Sequence, residues 1–318
     1  MSRVEELSVE EIRKRYLDKD EPVSAQILTR LQKDKREGVR KLHAVLKKRF
    51  EKQRDERMRM DAMRYFEKLL WKSGIKDIAG VDEAGMAPLA GPVVAASVMF
   101  PPDTEIAGIN DSKQLDAQTR EELAVQIRAK ASGVAVGIVS VEEIDTVNIY
   151  HAGLLAMRRA VEGLPRPPQH VLVDARTIPE IPMPQNAFNK GDGINFSIAA
   201  ASIIAKTTRD AMMDELDKQY PGYGLASHKG YPTPEHKAAI VKLGVCEIHR
   251  MSFPAIHELQ GEFSEIFYSM RSRCFEAGNR DALSELEAAF KSKRDSLEER
   301  EANKLKLLIS RRWKVLAA

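Results

Sequence analysis

Four short apolar runs, "IAGVDEAG", "GPVVAASVMF", "GVAVGIVSV" and "HVLVDA", occupy the middle of this 318-residue chain. Each is rich in small and β-branched residues and bounded by glycine or proline, a pattern that reads as strand. Helix-patterned segments alternate with them: "AQTREELAVQIRAKA", "IYHAGLLAMRRAVEGL", "FSIAAASIIAKTTRDAMMDELDKQY" and "PEHKAAIVKLG". Strands that cluster first and then alternate with helices predict a mixed α/β domain. The first runs are close in sequence and joined by short turns, which suits an antiparallel start. The long uncharged run, residues 84–102, carries Pro88, Pro92, Pro101 and Pro102, so it does not read as a membrane-spanning helix.

The flanks have a different texture. Residues 1–75 read as a basic helical extension, with Ile27, Leu31, Val39, Leu42, Val45, Leu46 and Phe50 at mostly three- and four-residue steps. Ser24 is placed to cap a helix start and Gly74 to stop the run. Residues 76–260 form the expected α/β domain, and residues 261–318 return to a charged helical pattern. Lys and Arg outnumber Asp and Glu by 21 to 14 in residues 1–75 and are outnumbered 17 to 23 in residues 76–260. A basic arm beside an acidic core suits an enzyme that handles a polyanion, because phosphate contacts supply much of such affinity. Two cysteines, Cys246 and Cys274, are too few for a disulfide framework or a zinc site. With charge throughout the first twenty residues and no secretory pattern, the expected setting is the cytoplasm.

The chemistry-bearing feature is a set of acids at element ends. Asp82 and Glu83 close the first apolar run, Asp174 closes "HVLVDA", and Asp192 stands just before the long small-residue helix. Carboxylates at the carboxyl ends of neighbouring strands can converge in an open sheet. Hard oxygen ligands without His or Cys suit Mg²⁺ or Mn²⁺, and two such ions can clamp an in-line displacement at phosphorus. Singly, each acid has an ordinary alternative: a turn former, or for Asp192 a helix cap. The adjacent pair in an apolar context resists that explanation, since unpaired buried charge is costly.

The motifs "AGVDEAG", "APLAGPVVAASV", "INDSKQL", "VLVDA", "NKGDGINFSIAAASIIAKTTRD", "YPGYGLASHKGYPTPEHKAAIVKLG" and "IHRMSF" run in order across residues 78–253. In this they resemble ribonuclease HII, the bacterial type 2 ribonuclease H. The resemblance implies an RNase H-like fold, a mixed sheet flanked by helices. It implies cleavage of RNA in RNA/DNA hybrids and nicking 5′ to a single ribonucleotide embedded in duplex DNA, leaving 3′-hydroxyl and 5′-phosphate ends. The family's four metal-binding carboxylates fall on Asp82, Glu83, Asp174 and Asp192, and its sugar-stacking tyrosine on Tyr231. Lys113 and Arg209 fall where it places phosphate contacts. His228, His236 and His249 lie inside the motifs at spacings that favour structural hydrogen bonding over metal binding.

One departure stands out. The family's Gly-Arg-Gly turn, which recognises the ribose 2′-hydroxyl largely through its backbone, reads Gly85-Met86-Ala87 here. The 2′-hydroxyl is what separates RNA from DNA at a given position. Met86 lacks a guanidinium's donors, and Ala87 adds a methyl that disfavours positive φ. The expectation is retained hydrolysis with weaker discrimination at an isolated ribonucleotide. The alternative is a non-catalytic or altered-specificity nucleic-acid-binding homologue.

Overall fold

A computed structural model describes residues 4–102, 104–260 and 263–317. The chain divides into two compact units, Met1–Phe66 and Glu67–Ala318. In the first, α1 (Val9–Arg13), α2 (Ala25–Gln32) and α3 (Glu37–Met63) enclose a small core of Ile12, Tyr16, Leu28, Leu31, Val39 and Leu46. Ser24 caps α2 as expected, its Oγ accepting from Ile27 N–H at 3.3 Å. Val45, read from the sequence as part of the apolar stripe, is exposed instead.

The division between the two units falls between Phe66 and Glu67, within a helix. Glu67, in α4 (Tyr65–Lys72), is wholly buried. Its carboxylate accepts from Ser197 N–H at 3.0 Å, from Ser197 Oγ at 2.9 Å and from Asn195 Nδ2 at 3.3 Å. A buried carboxylate with that many donors is firmly fixed, so the chain from Glu67 onward belongs to the sheet-containing unit.

That unit is built on a five-stranded sheet in the order β3-β2-β1-β4-β5. The strands are β1 (Ile78–Ala84), β2 (Val93–Met99), β3 (Gly133–Val139), β4 (His170–Asp174) and β5 (Gln185–Phe188). β1, β2 and β3 pair antiparallel, whereas β1, β4 and β5 pair parallel. β5 has no apolar run to announce it, since "QNAF" is neither β-branched nor buried. Between the strands lie α5 (Ala117–Lys130), capped by Asp116, and α6 (Val141–Glu162), opened by a Ser140–Glu143 capping box. α6 covers one sheet face, packing Ala152, Ala156 and Ala160 on Val81, Val93, Val171 and Val173. After the short α7 (Gly191–Ile194), α8 (Phe196–Gln219) covers the other face. Its backbone lies so close to β1 that a Cβ at Gly80 would sit 2.1 Å from the Ser197 carbonyl carbon.

The remaining helices are α9 (Leu225–His228), α10 (Pro234–Leu243), α11 (Pro254–Gln260), α12 (Glu265–Glu276), α13 (Arg280–Ser292) and α14 (Glu299–Ala317). The last three share their own apolar cluster. They are also docked on the sheet unit: Leu307 enters a core with Leu89, Met213, Ile240 and Ile248, and Asn303 Nδ2 donates to Leu243 O at 2.7 Å.

The histidines form a polar core. Cys246 N–H donates to His249 Nδ1 at 3.0 Å, which places the His249 proton on Nε2, 3.3 Å from His236 Nε2. His236 in turn donates from Nδ1 to Tyr231 O at 2.9 Å, and its ring stacks on His228. Burial pushes His236 down to about 4 and His249 to about 3. These bases are neutral when folded but protonate near 6.5 once exposed, so their contribution is intact above pH 6.5 and lost as pH falls toward 4. The expected loss is up to about 1.4 kcal/mol per pH unit for each ring. Thermal unfolding between pH 7 and pH 4.5 should therefore show a shallower acid slope for His249→Gln than for the parent; identical slopes would refute the assignment.

Candidate active site

In the parallel β1–β4 pair Val81 stands opposite Val173, so the next residue of each strand, Asp82 and Asp174, lies beside the other where the β1–β4 register ends. Glu83, still paired with β2, joins them: carboxylate oxygens of Asp82, Glu83 and Asp174 lie within 4.8 Å of one another. Gly191 N–H, at the start of α7, donates to Asp174 Oδ1 at 2.6 Å and thereby brings Asp192 alongside. Asp192 does not cap the long helix; Asn195 does, with Oδ1 accepting from Ile198 N–H at 3.3 Å.

The electrostatics are those of a site short of positive charge. Asp82 is 4% exposed; burial, then Glu83 and Asp174, hold its carboxyl well above the usual range. Burial and Asp174 raise Glu83, with Arg176 partly offsetting them. Burial and a fifth acid, Asp111, raise Asp192, with Lys113 opposing. Lys113 Nζ approaches Asp192 Oδ2 at 3.6 Å from an otherwise exposed side chain, so this predicted residue does reach the cluster. Glu83 Oε2 is buried without a hydrogen-bond partner. An orphaned carboxylate oxygen among repelling, oxygen-only groups fits a hard divalent cation.

The segment after the acids, residues 85–92, is held from beneath by two buried arginines, of which Arg250 alone hydrogen-bonds to the turn itself. Arg250, wholly buried, donates to Gly85 O at 2.6 Å, Met86 O at 3.2 Å and Gly91 O at 2.9 Å. Arg209 donates to Pro92 O at 3.0 Å, Ala90 O at 3.1 Å and Lys229 O at 3.0 Å. Arg209 is 1% exposed, so the surface phosphate contact expected from its position does not arise; its donors are spent on carbonyls. Gly85 has φ +96, and a Cβ there would meet Arg209 Nε at 2.2 Å. Met86 points inward against Gly153 of α6. Ala87 is exposed and is not among the described residues with positive φ, so the backbone strain expected from its methyl is absent. Tyr231 is 39% exposed, with its ring available.

Sequence reasoning missed Arg176, and it missed the role of Arg250 although that residue lies inside the motif "IHRMSF". It also missed Asn148, whose φ of 69 and ψ of 165 break α6. Strain of that kind is recorded only in the backbone.

This arrangement agrees with the comparisons. A sequence model described as "Ribonuclease HII" matches residues 79–256, and one described as "Ribonuclease HII N-terminal domain" matches residues 8–71. The chain belongs to the ribonuclease HII family. The ribonuclease HII of Myxococcus xanthus (strain DK1622) is 54% identical over 255 residues, spanning 80% of this chain and 87% of that protein. That of Geobacillus thermodenitrificans (strain NG80-2) is 49% identical over 231 residues, 73% of this chain and 89% of the relative. Among solved structures, ribonuclease H2 from Pyrococcus horikoshii OT3 superimposes with a TM-score of 0.51 at 28% identity, covering 58% of this chain and 97% of its own. Family membership makes the chain a ribonuclease H, a hydrolase of the RNase H-like fold.

Like-charge repulsion at a desolvated site predicts that Asp82→Asn stabilises the cation-free protein, at roughly 2–4 °C for each kcal/mol relieved. Mg²⁺ or Mn²⁺ should raise the unfolding temperature of the parent and raise that of the variant less. A parent indifferent to both ions in a thermal shift titration would count against the cation site.

Proposed function

We infer that the chain hydrolyses the RNA phosphodiester in RNA/DNA hybrids and at ribonucleotides embedded in duplex DNA, using two divalent cations held by Asp82, Glu83, Asp174 and Asp192. The observation that supports this most directly is the carboxylate cluster, three of whose members bring oxygens within 4.8 Å of one another. When bound, Mg²⁺ or Mn²⁺ supplies Lewis-acid neutralisation of the charge that develops on the attacked phosphoryl group and its entering and leaving oxygens.

The chain's own groups do the rest. A water oxygen attacks phosphorus in line, the bond from phosphorus to the 3′ oxygen breaks, and that oxygen takes up a proton. The products are a 3′-hydroxyl and a 5′-phosphate. Lys113, beside Asp192, offers a mobile positive charge to the phosphate backbone. The exposed ring of Tyr231 stacks on the sugar next to the ribonucleotide, a contact that tolerates any base. The backbone of Gly85, Met86 and Ala87 faces the 2′-hydroxyl, in a shape fixed by Arg250 rather than by its own side chains. The inward Met86 favours a particular variant of this function, in which isolated ribonucleotides are favoured less than long hybrids.

Three matched duplexes separate the possibilities: all-DNA, DNA with one ribonucleotide, and an RNA/DNA hybrid, each incubated with Mg²⁺ or Mn²⁺. Cleavage is expected of the second and third only, and Asp192→Asn should abolish it. Cutting of the all-DNA duplex, or of none, would refute the reading. In the same assay Met86→Arg with Ala87→Gly should raise the ratio of single-ribonucleotide to hybrid cleavage by about tenfold, the worth of one added charge-assisted hydrogen bond. An unchanged or lower ratio would show that the turn's side chains do not set this preference.

A further inference from the structure

Arg209 hydrogen-bonds both to the segment that follows the turn and to the tyrosine loop, and its Nε lies against Gly85 of the turn itself. Its Nε and Nη2 reach Pro92 O and Ala90 O, while Nη1 reaches Lys229 O, two residues before Tyr231. The two segments also touch directly, through Leu89 N–H to Gly230 O at 2.8 Å. Lys229 is further anchored by an ion pair from its Nζ to Asp214 of α8. Arg250, by contrast, bonds only to carbonyls of residues 85–92. A planar guanidinium can hold three carbonyls at fixed relative positions; an ammonium on a flexible stem cannot.

We propose that Arg209 is a positioning residue that sets the distance between Tyr231 and the residue 90–92 segment on which the 2′-hydroxyl-recognising turn rests, so that turn and ring read one ribonucleotide as a unit. The inference deepens the function proposed above and rests on it. A site that recognises a single ribonucleotide must engage its 2′-hydroxyl and the neighbouring sugar at once. Two contacts held at the correct separation bind far better than the same contacts on independently moving loops. A long hybrid has a 2′-hydroxyl on every residue of its RNA strand and tolerates a loose spacing.

The test is a double-mutant cycle. For duplex DNA with one ribonucleotide, Tyr231→Ala should lower kcat/KM about tenfold or more in the parent, as expected for a lost stacking contact. In an Arg209→Lys background the same change should cost less than threefold, because the ring is no longer held in register. On the RNA/DNA hybrid, the coupling between Arg209→Lys and Tyr231→Ala should be smaller than on the single-ribonucleotide duplex. Equal Tyr231→Ala effects with and without Arg209→Lys would overturn the proposal.

Circular dichroism and thermal unfolding report whether Arg209→Lys folds. If it does not, Gly230→Ala replaces it: its Cβ would lie 2.6 Å from Ala90 O and would force the loop off the turn while Arg209 stays in place. The same cycle read as Kd, from fluorescence anisotropy of a labelled single-ribonucleotide duplex in chelator, needs no catalysis. A parent inactive on both duplexes would thus defeat the functional reading, while the binding cycle still decides the clamp.

Discussion

The constraint on which the rest of this unit depends is the concentration of negative charge at the carboxyl ends of β1 and β4. Asp82 is almost without solvent, and Glu83 and Asp174 lie within reach of the same small volume. A sheet does not bury such charges for stability, because removing a carboxylate from water beside others of its sign costs free energy. Everything around the cluster limits its movement. β1 is paired on both sides, α8 rests directly on it at Gly80, and Gly191 N–H holds the Asp174 carboxylate. The site is therefore preorganised for cations, with its repulsion sustained by packing elsewhere.

Its positive counterpart is arranged in an unexpected way. Arg209 and Arg250 are among the most deeply buried side chains, yet their hydrogen bonds run to backbone carbonyls rather than to the site acids. Burial lowers the pKa of both. Had either paired with Asp82 or Asp174, it would have neutralised the charge that a cation must find. By bonding to backbone carbonyls instead, the arginines leave the acid cluster unneutralised and fix the segment that follows it. Lys113 and Arg176 supply softer compensation from the rim, where a mobile or solvated charge weakens the repulsion without filling the site.

Much of this was legible in the sequence, for a physical reason. Asp82, Glu83 and Asp174 end apolar runs, and the hydrophobic pattern that predicts a strand also predicts where its carboxyl end lies. Asp192 was legible as an acid at an element end, but not how it reaches the others, since its approach depends on the Gly191–Asp174 hydrogen bond. Arg209 was legible as important but not as buried, because a helix of alternating small and polar residues does not say which face meets a turn 117 residues away in sequence. β5 was invisible because its residues are half-exposed and not β-branched. The anchoring of Glu67 was invisible for the opposite reason: it rests on one buried carboxylate whose partners lie 128 and 130 residues away.

The altered turn is the sharpest case of sequence and structure saying different things. Read as letters, Gly85-Met86-Ala87 has lost a charged side chain and gained two apolar ones. In the structure Met86 packs on α6, Ala87 sits at the surface without strain, and the carbonyls of Gly85 and Met86 belong to Arg250. The shape of the turn is thus determined from below, by a residue 164 positions away, and not by the side chains that the turn itself carries. Under the proposed function, recognition through backbone groups would survive substitution, and what is lost would be confined to the contacts a guanidinium would have added. A turn built this way lets its side chains vary while its backbone geometry stays fixed, without disturbing the acids just upstream.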